Sequence, residues 1–174
     1  TTGAPLALTV GEPGGVAPEI TELAWRSLRE TGPAFFVIAD PTLFNNVETR
    51  SIARPGETSA LFADALPVLP LQEEVRAKIG VASPHNAAAV IKSIERAVGF
   101  ALGGNASAVV TNPIHKAALI ASGFDHPGHT EFLEALTKNS PMPDGATVRG
   151  AVMMLAGPEL RTVPVTIHQS VSDA

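Results

Sequence analysis

Short apolar runs alternate with amphipathic stretches along the first 123 residues of the chain. Residues 6–10, 34–39 and 106–111 are mostly apolar, and their length is typical of strands that are buried on both faces. The stretches between them carry apolar residues at helical spacing. Because parallel strands need a crossover between them, this alternation predicts an α/β fold with a parallel sheet and helices on its faces.

Local start and stop signals place the helices along the chain. Ser83 followed by Pro84 is a typical helix start, and Gly103 with Gly104 marks the end of the same helix. Residues 48–80 are interrupted by prolines and glycine, and their pattern predicts only short pieces of structure. The predicted helices span residues 19–29, 41–47, 84–102 and 113–122.

The pattern changes after Gly123. A helix is predicted over residues 130–138, and two extended runs, 148–156 and 160–168, flank a Gly-Pro-Glu turn that is typical of a hairpin. The switch from strand–helix units to a hairpin predicts an α/β domain of residues 1–125 and the start of a second domain in residues 126–174. We expect this second domain to be incomplete, since the chain stops directly after a strand.

Composition narrows the classes of function. With 45% hydrophobic and 17% charged residues the chain is typical of a globular protein, and its net charge of −5 argues against a nucleic-acid partner. No apolar run reaches the roughly 18 residues of a membrane span. The absence of cysteine excludes disulfides and thiolate metal sites, so a metal would need His, Asp or Glu. These features fit a cytoplasmic protein.

Two turns follow predicted strands and carry candidate ligand groups. Residues 11–18 form a Gly/Pro-rich turn whose backbone N–H groups could hold an anion, although the spacing matches neither a dinucleotide fingerprint nor a P-loop. The alternative is a tight turn without a ligand. In the second turn Asn112, His115 and Lys116 could reach a ligand at the same edge of the sheet. Alternatively, Asn112 is the N-cap of the following helix.

The segment from Asp125 to Phe132 places His129 and Thr130 at a predicted helix start, directly after Gly128. Imidazole and hydroxyl groups beside the free N–H groups of a helix suit a phosphate or a carboxylate. The alternative makes Thr130 a helix N-cap and His129 a surface loop residue.

His168 ends an apolar run, where a neutral imidazole could hold a divalent metal. The alternative is a structural histidine. A further possibility is that His126 and His129 complete a metal site together with His168 inside this chain. A loop that contains Pro and Gly is a poor frame for such a site.

Five blocks, taken in order, resemble the 4-hydroxythreonine-4-phosphate dehydrogenase family of vitamin B6 biosynthesis, over about the first half of the family's length. Each block is weak evidence by itself, whereas the ordered set is specific. The blocks cover residues 6–20 (including Gly-Glu-Pro and Pro-Glu-Ile), 111–116 (Thr-Asn-Pro-Ile-His-Lys), 128–132 (Gly-His-Thr-Glu-Phe), 152–155 (Val-Met-Met-Leu) and 160–168 (from Leu-Arg-Thr to Thr-Ile-His).

The resemblance implies an isocitrate/isopropylmalate dehydrogenase-like three-layer α/β/α fold, truncated after the start of the second domain, and a homodimer with its active site near the subunit interface. By matching position, His129 and Thr130 look like the substrate-binding pair, and His168 looks like the first of three metal-binding histidines. The implied cofactors are NAD or NADP and a divalent metal, with zinc first and magnesium or cobalt as alternatives. No catalytic or cofactor-binding residue is carried over.

The implied reaction is the NAD-dependent oxidation of 4-phosphohydroxy-L-threonine, followed by decarboxylation to 3-amino-2-oxopropyl phosphate. We expect this chain to be inactive by itself, because the other metal ligands and most of the cofactor site should lie beyond residue 174. Residues 169–173, Gln-Ser-Val-Ser-Asp, resemble instead the related NAD-dependent dihydrodiol dehydrogenases of aromatic-acid catabolism. A further alternative is a non-catalytic anion- or metal-binding domain.

Overall fold

The computed structural model describes residues 3–140, 152–166, 170 and 172. The chain divides into two compact units, Thr1–His129 and Thr130–Ala174. The assignment of domains 1–125 and 126–174 stays a prediction. No helix in the described part of the chain is both long and apolar enough to cross a membrane.

A five-stranded parallel sheet forms the centre of the first unit, with the strand order β3-β4-β2-β1-β5. This confirms the predicted α/β fold with a parallel sheet. Residues 6–10, 34–39 and 106–111 all contain strands, each slightly shorter than its apolar run. The strands are β1 (Leu6–Thr9), β2 (Phe35–Ala39), β3 (Thr49–Ser51), β4 (Leu66–Pro70) and β5 (Ala108–Val110).

Helices connect the strands, and their ends follow local signals. The side chain of Ser83 accepts a hydrogen bond from the N–H of His85, which confirms the predicted helix start. Gly104, two residues beyond the end of α3, has a φ of +73°, which suits glycine at a helix end. The helices are α1 (Ala17–Leu28), α2 (Thr58–Leu61), α3 (Ala87–Leu102), α4 (Lys116–Ala121) and α5 (His129–Thr137); 3₁₀ turns span Pro41–Leu43, Pro55–Glu57 and Pro84–Asn86.

Helices cover both faces of the sheet. Phe36 of β2 and Ala97 of α3 belong to one buried apolar cluster. The ring of Phe35, also in β2, contacts the ring of Phe62, after α2, at a centroid distance of 5.0 Å. Since consecutive strand residues point to opposite faces, α3 and the end of α2 lie on opposite sides of β2. Trp25 of α1 donates to the carbonyl of Phe62 at 2.8 Å, so α1 packs on the side of α2.

The predicted helix over residues 41–47 is wrong, because only the 3₁₀ turn Pro41–Leu43 forms there. The side chain of Asp40 accepts a hydrogen bond from the N–H of Thr42, and Phe44 already has an extended backbone. Asp40 therefore stabilises a single turn at the end of β2, and the next residues follow the surface.

The sequence pattern does not predict the interior strand β4, because its two prolines are typical of breaks in a strand. The N–H of Leu66 donates to the carbonyl of Glu48, beside β3. Because successive backbone nitrogens of a strand face opposite neighbours, the nitrogen of Pro67 faces β2. The pairing of β2 with β4 begins only at Val68. Pro70 is the last residue of β4 and lies beyond the paired part of β3. Both prolines thus occupy positions where no N–H is required by the neighbouring strand.

The second unit contains a short antiparallel hairpin, in which β6 (Leu155–Ala156) pairs with β7 (Arg161–Thr162). The N–H of Gly157 donates to the carbonyl of Leu160 at 2.7 Å and closes the turn. This confirms the predicted hairpin around Pro158. Each strand has only two residues, and parts of the predicted runs 148–156 and 160–168 lie outside the described residues.

Candidate functional site

Two of the sequence motifs meet at the carboxyl edge of the sheet. The chain leaves β1 towards β2 on one side, and β5 pairs with β1 on the other side, so β1 is the point at which strand order reverses. Ligands of open α/β sheets bind outside the carboxyl ends of the strands at such a point. The N–H of Glu12, after β1, donates to the carbonyl of Pro113, after β5, at 2.9 Å.

The turn after β1 needs glycine at two positions. Gly11 has a φ of +68°, and a Cβ there would lie 2.7 Å from the Cβ of Asn112. A Cβ on Gly14 would lie 2.2 Å from the carbonyl oxygen of Val81. The turn is therefore packed tightly between the segment after β5 and the loop that precedes α3.

Two backbone donors of this turn are engaged within the turn itself. The N–H of Gly14 donates to Oε1 of Glu12 at 3.2 Å, and the N–H of Gly15 donates to the carbonyl of Glu12 at 3.0 Å. These two groups are not available to an external anion. The structure thus favours the tight-turn interpretation of residues 11–18 over the anion-binding one.

Glu12 is the functional candidate that the sequence reasoning missed. Its side chain is 6% exposed, and its Oε1 accepts hydrogen bonds from Gly14 and from the side-chain amide of Asn86 at 3.3 Å. Buried carboxylates are uncommon without a partner charge or several hydrogen bonds. A glutamate directly after a buried strand, in a glycine turn, was the signal that could have identified it.

Asn112 is a structural bridge and not a helix cap. It is 5% exposed, and its amide donates to the carbonyl of Thr9 at 2.9 Å and to the hydroxyl of Thr21 at 2.8 Å. The capping interpretation is wrong because α4 begins only at Lys116, and His115 occupies the cap position. Asn112 instead ties β1 and α1 to the segment after β5, which leaves its amide donors engaged.

His115 combines a structural contact with an available donor. Its Nδ1 accepts a hydrogen bond from the N–H of Ala118 at 3.2 Å. An imidazole nitrogen that accepts carries no proton, so in the neutral ring the proton lies on Nε2. His115 borders a cavity of about 280 Å³ at the carboxyl edge, which is also lined by Glu12, Gly15, Val16, Ala82 and Ile114.

A larger cavity of about 480 Å³ lies beside it, but its polar groups are mostly paired with one another. The carboxylate of Glu22 accepts from the backbone and the side-chain amide of Asn46, at 3.1 and 2.9 Å. Arg76 forms an ion pair with Glu74 at 2.9 Å. The residues that line this cavity therefore offer a ligand fewer unpaired hydrogen-bonding groups than those that line the smaller cavity.

The positive charge of Lys116, in the second motif, acts on His129, in the third. The pKa of His129 lies below its ordinary value, mainly because the ring is partly buried and also because of the positive charge of Lys116. Its Nε2 is buried and makes no hydrogen bond within the described residues. A lowered pKa leaves His129 neutral near pH 7, so it can donate one hydrogen bond beside the lysine charge.

Thr130 is the second residue of α5, which begins at His129. Its interpretation as a helix N-cap is therefore wrong. It is exposed on the first turn of the helix. His129 and Thr130 stay predicted substrate-binding residues.

The predicted metal ligand His168 lies outside the described residues. Within residues 3–140 and 152–166, no three His, Asp or Glu side chains come together as a metal site. The ring of His126 packs near that of Phe124, at a centroid distance of 5.2 Å. The described residues thus do not form a metal centre by themselves, and the role of His168 stays a prediction.

Comparison with known proteins identifies the family. The profile of the family "Pyridoxal phosphate biosynthetic protein PdxA" matches residues 31–174. A 4-hydroxythreonine-4-phosphate dehydrogenase of Caulobacter vibrioides is 45% identical over 99% of this chain and 52% of its own length, and one of Ruegeria sp. is 46% identical over 96% of this chain and 49% of its own.

The fold agrees with solved structures of the same proteins. The crystal structure of a 4-hydroxythreonine-4-phosphate dehydrogenase from Burkholderia phymatum superimposes with a TM-score of 0.79 at 27% identity, covering 99% of this chain and 52% of that one. The chain spans about half the length of the curated relatives that it matches. On the strength of the profile match over residues 31–174, the chain belongs to the pyridoxal phosphate biosynthetic protein PdxA family.

Proposed function

We propose that this chain takes part in the NAD-dependent oxidation of 4-phosphohydroxy-L-threonine in vitamin B6 biosynthesis, and that it supplies contacts to an anionic group of the substrate. Family membership supports the proposal, as do relatives named 4-hydroxythreonine-4-phosphate dehydrogenase. Those names favour the phosphorylated substrate, so the dihydrodiol alternative is not retained.

The observation that carries the proposal is the positive charge of Lys116 acting on His129, at the start of α5. The lysine supplies a positive charge, and Nε2 of His129, which has no hydrogen-bond partner among the described residues, supplies a donor or an acceptor. Thr130, the residue that follows His129 in α5, carries the hydroxyl of the proposed substrate-binding pair. Such a set of donors suits a phosphate or a carboxylate, and a charge-assisted hydrogen bond is short and strong.

The proposed reaction has two steps, an oxidation followed by a decarboxylation. The substrate's secondary alcohol loses a hydride and a proton and becomes a ketone, and the resulting β-keto acid then loses CO2 to give 3-amino-2-oxopropyl phosphate. NAD, or NADP in its place, supplies the hydride acceptor when bound. The contribution of Lys116, His129 and Thr130 is to hold the substrate's anionic group, and positioning of this kind can supply roughly 7–11 kcal/mol in favourable cases.

The remaining expectations from the family belong to the same proposal. They are the isocitrate/isopropylmalate dehydrogenase-like variant of the α/β fold, a homodimer with its active site near the interface, and a divalent metal, with zinc first and magnesium or cobalt as alternatives. His168 is proposed as one metal ligand.

Calorimetric titration of the 174-residue chain tests the substrate contacts. We expect 4-phosphohydroxy-L-threonine to bind, and His129→Ala and Thr130→Ala each to weaken binding about tenfold or more, as for loss of a charge-assisted hydrogen bond. L-Threonine, which keeps the carboxylate and lacks the phosphate, separates the two anionic groups. His85→Ala, at a histidine in the 3₁₀ turn before α3, is the matched control and should change nothing.

Equal binding by the parent chain and both variants would contradict the proposal, provided that their melting temperatures agree. The Caulobacter vibrioides relative serves as a positive control for the substrate preparation. The role of His168 is tested separately by titration with Co²⁺ followed by absorbance. His168→Ala should weaken Co²⁺ binding. Unchanged Co²⁺ binding would contradict a ligand role and favour a structural role for His168.

A further inference from the structure

A buried carboxylate with one unused oxygen lines the cavity at the strand-order reversal. Oε1 of Glu12 accepts two long hydrogen bonds, at 3.2 and 3.3 Å, whereas Oε2 accepts none from the described residues. The side chain is 6% exposed and borders the cavity of about 280 Å³. A carboxylate has about four acceptor positions, so Oε2 can accept from a donor placed in the cavity. A ligand group that donates hydrogen bonds therefore suits this cavity.

This cavity presents hydrogen-bond acceptors, whereas a phosphate-binding glycine turn would present backbone N–H donors. The N–H groups of Gly14 and Gly15 are turned inward to Glu12, so they do not face a ligand. The negative charge of Glu12 would repel a phosphate placed in the cavity. The site thus selects groups that carry hydrogen-bond donors, such as hydroxyl or ammonium groups.

His115 distinguishes between these two kinds of donor. It lines the same cavity, and its Nδ1 is occupied by the N–H of Ala118, which places the proton on Nε2. An ammonium group cannot accept a hydrogen bond from this N–H. A pair of hydroxyl groups can satisfy both residues, because one hydroxyl donates to Glu12 and the other accepts from His115.

The size and place of the cavity point to a sugar. A volume of about 280 Å³ lies just below the usual range for drug-sized ligands, roughly 300–1,000 Å³, and suits part of a larger molecule. The cavity lies at the strand-order reversal between β1 and β5, where open α/β sheets bind nucleotides.

We propose that the cavity between Glu12 and His115 binds the vicinal hydroxyls of a ribose of the dinucleotide cofactor. Oε2 of Glu12 accepts from one hydroxyl, and Nε2–H of His115 donates to the other. The assignment rests on the proposed NAD-dependent function, since the dinucleotide is the molecule that brings a ribose. The two riboses of NAD share this chemistry, and the experiment distinguishes them.

The test uses the 174-residue chain and two mononucleotides, adenosine 5′-monophosphate and nicotinamide mononucleotide, in titrations followed by NMR. We expect one of them to bind with saturation, with shifts at Gly14 and His115. The 2′-deoxy and 3′-deoxy analogues of that mononucleotide should bind at least about fivefold more weakly, as for loss of one hydrogen bond.

Two variants locate the contacts while preserving the local structure. Glu12→Gln keeps an oxygen that can accept from Gly14 and Asn86 but removes the charge, and we expect about tenfold weaker binding. His115→Asn keeps a side-chain acceptor at the cap of α4 but removes the Nε2–H donor, with an expected loss of about fivefold. Glu19→Gln, which removes an exposed carboxylate of α1 beside the larger cavity, is the matched control and should bind normally.

Several results would overturn the proposal: no saturable binding of either mononucleotide at millimolar concentration, equal binding of the deoxy analogues, or equal losses in Glu12→Gln and Glu19→Gln. Circular dichroism and thermal melting establish that each variant is folded. The outcome is separable from that of the substrate titration. Loss of substrate binding to His129 variants tests the proposed function, whereas mononucleotide binding in Glu12 and His115 variants tests this site.

Discussion

The side-chain amide of Asn86 donates a hydrogen bond to Oε1 of Glu12 at 3.3 Å, between residues 74 positions apart. Asn86 is fully buried, and its Oδ1 also accepts from the N–H of Arg76 at 2.9 Å. One side chain thereby connects the loop before α3 to the turn after β1. The shape of the ribose cavity proposed above depends on this connection.

Asn86→Ala should lower the free energy of unfolding by about 1–3 kcal/mol, because it removes a fully buried side chain that accepts from the N–H of Arg76 and donates to Glu12. Urea denaturation measures the change. Asn105→Ala is the comparison, since Asn105 is exposed and its amide only reaches the carbonyl of Gly103. Equal effects of the two substitutions would contradict the structural role of Asn86.

Gly14→Ala should destabilise the chain by roughly 1–3 kcal/mol, as overpacking of a tight site does. The new Cβ would lie 2.2 Å from the carbonyl oxygen of Val81, so the loop before α3 would have to move. Gly56→Ala is the control, because a Cβ there meets nothing within 4 Å. Thermal unfolding of both variants checks the prediction, which fails if Gly14→Ala melts at the temperature of the parent.

His129 should titrate below its ordinary pKa of 6.5 in the folded chain. Lys116→Met should raise this pKa only part of the way back, because burial is the larger cause and the lysine charge the smaller one. NMR titration of the imidazole protons measures both values. A pKa of His129 at or above 6.5 in the parent chain would show that the ring is neither buried nor near Lys116.

The same histidine should make stability depend on pH. Its pKa is lower in the folded than in the unfolded chain, so the unfolded state binds more protons as the pH falls below about 6.5. The contribution of His129 to stability is therefore complete above pH 6.5 and declines as the pH falls towards the folded pKa. His129→Gln, which does not titrate, should lose less stability than the parent between pH 7.5 and 5.5. Identical losses in denaturant titrations would contradict this.

Much of the fold could be predicted from the sequence, because its signals are local. The apolar runs that contain β1, β2 and β5 differ sharply from the amphipathic stretches between them, and hydrophobic period alone separates strand from helix. The start of the long helix at Ser83 depends on a hydrogen bond two residues away, and its end depends on the backbone preference of Gly104. Neighbouring residues are sufficient to determine features of this kind.

The order of the family-like blocks was also sufficient to predict the family, which the profile match shows. The roles of individual side chains were less predictable. Asn112 precedes a helix and has the composition of a cap, yet its amide bonds to Thr9, 103 residues earlier. Capping requires the helix to begin next to it, and α4 begins at Lys116 because His115 provides the cap.

What the sequence by itself determined was the set of segments, their type and the motifs that follow the strands. Only the tertiary structure decided which groups remain available for chemistry. β4 forms despite two prolines because its neighbours leave those nitrogens unpaired. Glu12 is a candidate ligand because packing buries its side chain, and because its carboxylate accepts the hydrogen bond of the Gly14 N–H. Hydrogen bonds between distant residues depend on how the segments pack, and no local pattern of residues encodes that packing.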